Sequence, residues 1–419
     1  MVGVRGGRAP RIAIVHEWLS TYAGSERVLE QMLAVLPDAD LFAVCDFLPP
    51  EERAFLGGRP VGTTLVQRLP LARTRFRSWL PVMPFAIEQL DLSGYDLIVS
   101  SSHAVAKGVL TGPDQLHLCM CYSPIRYAWD LQHQYLRQAG LGWSPSGLAA
   151  RLLLKRLRDW DARSANGVDR FAAISEFVGR RIRKVYRRDS TVVYPPVDVE
   201  RFTPGDGPRG DYYVTASRMV PYKCVDVLVE AFRSMPERRL VVIGDGPQMP
   251  LVRERAGANV TLLGHQPGPE LVRWLRGARA FLFAAIEDFG IAPLEAQAVG
   301  TPVIAFAGGA LPETIPGLDA ASPCGVLFDE QTPEGVRRGV ATFEREASRI
   351  SAEACRANAL RFTVDAFRRT FGAFVDREWS RHLARLSGGR ELAARVPGPV
   401  DAPSYDPDER ALDALAARA

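Results

Sequence analysis

The sequence has little of what cross-links a protein or binds a metal: its 419 residues include six cysteines and six histidines. The cysteines stand at 45, 119, 121, 224, 324 and 355 with no Cys-x-x-Cys pair, and no histidine sits at metal-ligand spacing. This pattern argues against a disulfide framework and against a zinc site, and fits reduced thiols in cytoplasm. No apolar run reaches the roughly 18 residues of a membrane span. Arg5, Arg8 and Arg11 precede an apolar run of only Ile12 to Val15, broken by His16 and Glu17, too short for the core of a secretion signal. Overall charge of one sign is lacking too, with 52 basic against 48 acidic residues, and no nucleic-acid partner is expected.

Apolar residues are plentiful. At 47% hydrophobic, a chain of 419 residues is too long for one ordinary core and has enough apolar surface to fill two. The charge is also unevenly spread: residues 1–200 carry 25 Lys and Arg against 20 Asp and Glu, the remainder 27 against 28. Three stretches concentrate the excess: Arg68, Arg73, Arg75 and Arg77 around Leu69, Phe76, Trp79 and Leu80; Arg151 to Arg158; and Arg180 to Arg188. Such interleaving suits an anionic membrane surface, as peripheral attachment to the inner face of the cell membrane would require; it also fits solvated helix faces.

Short β-branched runs at 12–16, 95–100, 116–121, 170–175 and 191–194 alternate with amphipathic segments such as 25–36 and 176–187, and the theme returns at 211–217, 239–244, 259–264, 279–286 and 302–306. That alternation predicts an α/β protein of two doubly wound, Rossmann-like domains. The stiff segment Tyr194-Pro195-Pro196-Val197-Asp198, followed by Pro204, Gly205 and Gly207, reads as the joint. The expected organisation is a first Rossmann-like domain over 1–194, a linker over 195–209, a second over 210–363, a helix over 364–386 that crosses back to the first domain, and a disordered tail over 387–419.

The most informative string is Glu287-Asp288-Phe289-Gly290-Ile291-Ala292-Pro293-Leu294-Glu295. It follows an apolar strand and opens a helix, with Pro293 suited to the first helical position. Such strand-to-helix loops present free backbone N–H groups to an anion. Glu295 falls in the predicted first turn without a Ser or Thr partner for a capping box, and a carboxylate there suits ribose hydroxyls; Glu287 reaches further, toward a sugar. On another loop of the same kind, Arg218 and Lys223 bring two cations suited to a diphosphate.

The order SRMVPYKCVDVLVEAF, VVIGDGPQMPLV, NVTLLGH and EDFGIAPLEAQAVGTPVIAF resembles the retaining glycosyltransferases of family 4, the glycosyl transferases group 1, over about residues 11–385. In the first half, IAIVHEWLSTYAGSERVLEQ and CYSPIRYAWDLQHQYL look like the bacterial polysaccharide mannosyltransferase branch. The resemblance implies a GT-B fold and a hexosyltransferase that moves mannose from GDP-mannose onto a glycan or polyprenyl-linked acceptor, with no cofactor and no metal. It assigns Arg218 and Lys223 to the donor phosphates, Glu295 to the ribose, Glu287 with the backbone of Phe289, Gly290 and Ile291 to the transferred sugar, and Gly24 to close approach from the other domain. Gly24 also reads simply as a helix-start turn. One departure stands out: where the branch usually has a histidine near the donor sugar, this chain has Tyr122, expected to face the sugar by hydrogen bonding. His103 is expected in the same cleft or as an ordinary loop histidine, and Arg126 and Tyr127 on the acceptor side. A UDP-sugar-dependent transferase of the same family, a nucleotide-sugar 2-epimerase, a soluble-acceptor sucrose or trehalose synthase, and a non-catalytic scaffold are the other readings.

Overall fold

The structure, a computed structural model, describes the backbone of residues 8–395 and the side chains of residues 8–387. Its first sheet is seven-stranded and wholly parallel: β1 Ile12–Leu19, β2 Asp40–Asp46, β3 Val61–Thr63, β4 Leu97–Ser102, β5 Leu116–Cys121, β6 Arg170–Ala173 and β7 Ser190–Val192, in the order β3-β2-β1-β4-β5-β6-β7. The second is six-stranded and parallel: β8 Tyr213–Ala216, β9 Leu240–Ile243, β10 Val260–Gly264, β11 Phe281–Phe283, β12 Val303–Phe306 and β13 Gly325–Phe328, in the order β10-β9-β8-β11-β12-β13. Both are doubly wound, as the alternating pattern predicts. Parallel strands are covered on both faces, so they read as continuous apolar runs; β4 and β5 are buried at every position. Three strands escape the sequence reading. Of these, β2 is framed by Asp40 and Asp46, β3 is three residues long, and β13 carries a glycine.

Each sheet has its own core. One gathers Val15, Ile87, Ile98, Ile125 and Trp160; the other gathers Phe232, Leu240, Leu282, Ile304 and Val336. The chain passes between the sheets through Tyr194 to Asp198 and returns beside itself: Val197 forms a parallel bridge with Thr363, and its N–H donates to the Phe362 carbonyl at 2.7 Å. Tyr194 stacks on Phe289 at 5.9 Å and meets Phe362 edge-on at 5.2 Å. The joint is therefore an aromatic packing unit.

After the return, a helix runs Val364–Arg395, past the Leu386 end expected for it; a helical backbone thus replaces the first part of the expected tail, and residues 396–419 lie outside the described residues. By backbone contacts the chain is one unit through Trp379 and a second from Ser380. Within the first unit this helix reaches the first half of the chain, where Arg368 Nε donates to Gln31 Oε1 at 2.8 Å and Arg170 pairs with Glu378 at 3.3 Å.

Crevices in such sheets open beyond the carboxyl ends of the strands where the order reverses, here between β1 and β4 and between β8 and β11. The first of these is built on one carboxylate. Glu17, near the end of β1, is fully buried and accepts from Ser102 Oγ at 2.9 Å and from the N–H groups of His103, Ala104, Val105 and Ala106 at 3.0, 2.6, 3.0 and 3.1 Å. It fixes the loop after β4. Burial alone would raise the Glu17 pKa, but the facing His103 and the N–H donors outweigh it and hold the carboxyl below its ordinary value. A depressed folded-state pKa contributes stability above the unfolded value of about 4.3, and that stability is lost as pH falls through the folded value. Glu17→Gln should cost on the order of 3–5 kcal/mol at pH 7, since it turns a donor toward N–H groups that then lack an acceptor. The variant should also lose less further stability than wild type between pH 7 and about 3; denaturant titrations across that range check both, and parallel pH profiles would count against this role.

Candidate active site

The second sheet supplies one wall of the cleft. The loop after β8 carries Arg218 and Lys223, and the loop after β11 carries Glu287 to Gly290. Lys223 Nζ is paired with Glu287 Oε1, both side chains largely screened from solvent. Arg218 is exposed and lines a cleft of about 340 Å³ together with Ser217, Gly244, His265, Gln266 and Glu295. The four charged residues singled out from the sequence thus meet along the carboxyl edge of one sheet, as a Lys223–Glu287 pair and an Arg218–Glu295 cleft.

The helix Ile291–Ala298 springs from Gly290, which has φ +93°. The dihedral favours glycine, and a Cβ there would lie 2.6 Å from Leu311 Cδ2 and would also have to displace that side chain. Because the helix begins at Ile291, Pro293 is its third residue rather than its first, and Glu295 lies beyond the first turn. The Glu295 partner comes from the other half of the chain: Arg27 Nη1 donates to Glu295 Oε1 at 2.9 Å. Burial pushes the Glu295 pKa up, with Arg27 opposing it.

The first sheet supplies the facing wall. A Cβ on Gly24 would sit 3.3 Å from Ile291 Cδ1, so this glycine marks where the N-termini of helices Gly24–Val35 and Ile291–Ala298 approach each other. That turn is held from below. Glu26 accepts from the Ala23 N–H at 3.0 Å and faces His16 Nε2 at 3.3 Å; His16 Nδ1 is 2.9 Å from Ser101 Oγ, which is 2.8 Å from the Tyr122 hydroxyl. Tyr122 also lies 3.3 Å from the Ser25 carbonyl. Its hydroxyl is therefore spent on the glycine-bearing turn, and its ring stands 6.4 Å from His103; burial drives the phenol pKa upward, so it stays protonated. His103 packs edge-on against Trp18 at 4.8 Å, and burial, opposed by Glu17, lowers its pKa, favouring neutral imidazole. His103 and Tyr122 are neighbours.

Arg126 and Tyr127 part company. Tyr127 packs inward on the first core and against Tyr135 at 6.1 Å. Arg126 turns to the opposite wall, with its guanidinium 5.2 Å over the Tyr222 ring and Nη1 3.3 Å from Asp288 Oδ2. Asp288 also takes Arg181 Nη1 at 2.5 Å, while its carbonyl accepts from Ser175 Oγ at 2.6 Å. Arg181 is itself braced by Asp130 at 2.6 Å and Ser123 Oγ at 3.1 Å. The string CYSPIRYAWD thus supplies Ser123, Arg126 and Asp130 to one charge network on the 287–290 loop. The Phe289 side chain faces the aromatic joint, leaving its backbone to the loop. Sequence reasoning missed Arg27, Arg181 and Asp288. Asp288 lies inside the motif and Arg27 three residues after Gly24, but nothing local marks Arg181, whose partner is 107 residues away.

Residues 22–201 match the family described as glycosyltransferase family 4, and residues 210–343 match the glycosyl transferases group 1. Among curated proteins, the D-inositol 3-phosphate glycosyltransferase of Segniliparus rotundus is 31% identical over 47% of this chain and 50% of its own. The GDP-mannose-dependent alpha-(1-6)-phosphatidylinositol monomannoside mannosyltransferase of Mycobacterium tuberculosis is 29% identical over 51% of this chain and 60% of its own. The chain thus spans about half the length of the curated relatives it matches. Among solved structures, the sucrose-phosphate synthase of Thermosynechococcus elongatus superposes with a TM-score of 0.66 at 16% identity, over 88% of this chain and 100% of that one. HepE of Anabaena in complex with UDP gives 0.63 at 15% identity, over the same shares. At such identities the likeness is one of fold, the GT-B arrangement of two Rossmann-like sheets.

Asp288 is the test of whether the network holds the cleft. Asp288→Ala leaves the Arg181 guanidinium, 9% exposed, short of a buried partner and should cost about 3–5 kcal/mol. Asp130→Ala removes a half-exposed partner of the same arginine and should cost about 1 kcal/mol or less. Denaturant titration of the two variants checks the order; equal costs would remove Asp288 from its central place.

Proposed function

The chain belongs to glycosyltransferase family 4, and from that membership we propose that it transfers a hexose, mannose from GDP-mannose, onto a glycan or lipid-linked saccharide acceptor in polysaccharide assembly. The observation that carries the reading is the convergence of Arg218, Lys223, Glu287 and Glu295 at one sheet edge beneath the N-terminus of helix Ile291–Ala298. A diphosphate meets two cations and a helix N-terminus there, and Glu295 is near enough to bind ribose beside it.

In the proposed reaction the acceptor hydroxyl attacks the anomeric carbon on the face from which the diphosphate departs. The bond to the diphosphate oxygen breaks as the new glycosidic bond forms, and the acceptor's proton passes to a phosphate oxygen. Rate comes from stabilising the charge that grows on the leaving diphosphate, which fixed cations and N–H groups provide without a metal. Glu287, steered by Lys223, holds the sugar. Neutral His103 lies beside the sugar as a hydrogen-bonding group, and Tyr122 acts one step back, through the Gly24–Ser25 turn. The GDP-mannose-dependent relative and the mannosyltransferase-like first half support mannose as the sugar.

The deciding experiment is a panel of nucleotide sugars, GDP-mannose and UDP-glucose among them, offered to the full chain and scored by binding and slow hydrolysis. GDP-mannose should rank first; a preference for UDP-sugars would move the donor, and free isomerised donor without acceptor would favour an epimerase. Arg218→Ala and Lys223→Ala should each weaken donor binding by about 1.5–3 kcal/mol, the value of a charge-assisted hydrogen bond, with or without chelator. Activity abolished by chelator while both variants stay near wild type would overturn the metal-free pocket.

Among the described residues no helix is long and apolar enough to cross a membrane, so a lipid-linked acceptor is proposed to be met at a bilayer surface. Leu71 and Phe85 are 68% and 58% exposed, close in sequence to the exposed Arg73 and Arg75, whereas Phe76 is buried and Arg77 lies over the Trp18 ring. Trp143, Leu148 and Leu152, beside Arg151 to Arg158, are exposed as well. Replacing Leu71, Arg73 and Arg75 together with Ser should release the protein from anionic vesicles, and salt should do the same because screening shortens such attractions to roughly 8–10 Å. Vesicle binding indifferent to both would exclude this surface.

A further inference from the structure

Glu295 has two oxygens, and the protein uses one of them. Oε1 accepts from Arg27 Nη1 at 2.9 Å, while among the described residues Oε2 has no protein hydrogen-bond partner and the carboxylate lines the 340 Å³ cleft. Arg27 is the fourth residue of helix Gly24–Val35, on the opposite wall from Glu295 and 268 residues away in sequence. The pair crosses the cleft where Gly24 meets Ile291. An acidic side chain 8% exposed in the second turn of an apolar helix accepts two hydroxyls well only if it is ionised and held in one rotamer. Asp198 and Arg201 on the linker are the other charged groups bearing on it, with Arg218, Asp245 and His265 elsewhere in the cleft.

We propose that Arg27 is a positioning residue for the donor's ribose: from the facing half of the chain it fixes the Glu295 carboxylate with one oxygen turned to the cleft, so that selection for ribose hydroxyls depends on both halves. The proposal rests on the donor reading given above. It also gives the helix Gly24–Val35 a second task besides the close approach of Gly24. An arginine suits it because a single N–H engages Glu295 while the rest of the guanidinium fork stays available to neighbouring acceptors.

The test is calorimetric titration of the full chain with GDP and UDP and with the 2′-deoxy and 3′-deoxy form of each, in wild type, Arg27→Gln and Arg27→Lys. Wild type should prefer the ribonucleotide by about tenfold or more, the value of one hydrogen bond to a charged group. In Arg27→Gln that ratio should fall to within about twofold, and Arg27→Lys should restore most of it. The ratio is internal to each variant, so a general loss of folded protein leaves it unmoved. An Arg27→Gln ratio equal to wild type overturns the positioning role while leaving the donor reading intact. Equal loss of all binding in the Gln and Lys variants overturns it too, by making Arg27 a structural residue. Wild type that binds none of these nucleotides sinks the donor reading itself.

Discussion

The 287–290 loop is held where two arginines of the first half close on Asp288. Arg126 and Arg181 reach it from different elements, Ser175 takes its carbonyl, and Asp130 and Ser123 hold Arg181 in line. Placing this much charge out of water is costly, and the cost is recovered only when every member is bonded. That condition makes the network directional. The geometry of Glu287, one residue before Asp288, and of Gly290, two residues after it, inherits the position the arginines set.

The same arrangement recurs on the first wall. Glu17 binds four successive N–H groups after β4, and Glu26 is braced by His16 and the Ala23 N–H. Both carboxylates are buried, Glu17 near the carboxyl end of β1 and Glu26 in the first turn of helix Gly24–Val35, and each fixes a loop beside it. Backbone donors fix a loop more tightly than exposed side-chain pairs do, because they carry no rotamer entropy to lose. The outcome is a cleft whose loops are tied to the sheets beneath them, with Arg218 left exposed. Preorganised charge of this kind is what the proposed transfer from a diphosphate donor needs, since the groups need not reorganise as charge moves.

Tyr122 links the strands of the first sheet to the turn above them. The Tyr122 phenol reaches Ser101 and the Ser25 carbonyl. It supports the Gly24–Ser25 turn. His103, 6.4 Å away, remains as the imidazole beside it.

Much of this was legible in the chain itself. Alternating apolar runs and amphipathic helices determined two parallel, doubly wound sheets, because strands covered on both faces must be continuously apolar. Arg218, Lys223, Glu287 and Glu295 could be named because they lie on the loops, or in the helix that follows, after the carboxyl ends of two recognisable strands, and such ends open on crevices. The strands β2, β3 and β13 stayed hidden where flanking aspartates, shortness or a glycine diluted the pattern. Only the tertiary structure decided which residues meet across the cleft. Arg27 with Glu295, and Arg126 and Arg181 with Asp288, are pairs separated by more than a hundred residues. Sequence spacing carries no record of them, because their distance is set by how one sheet stands against the other and not by any local period.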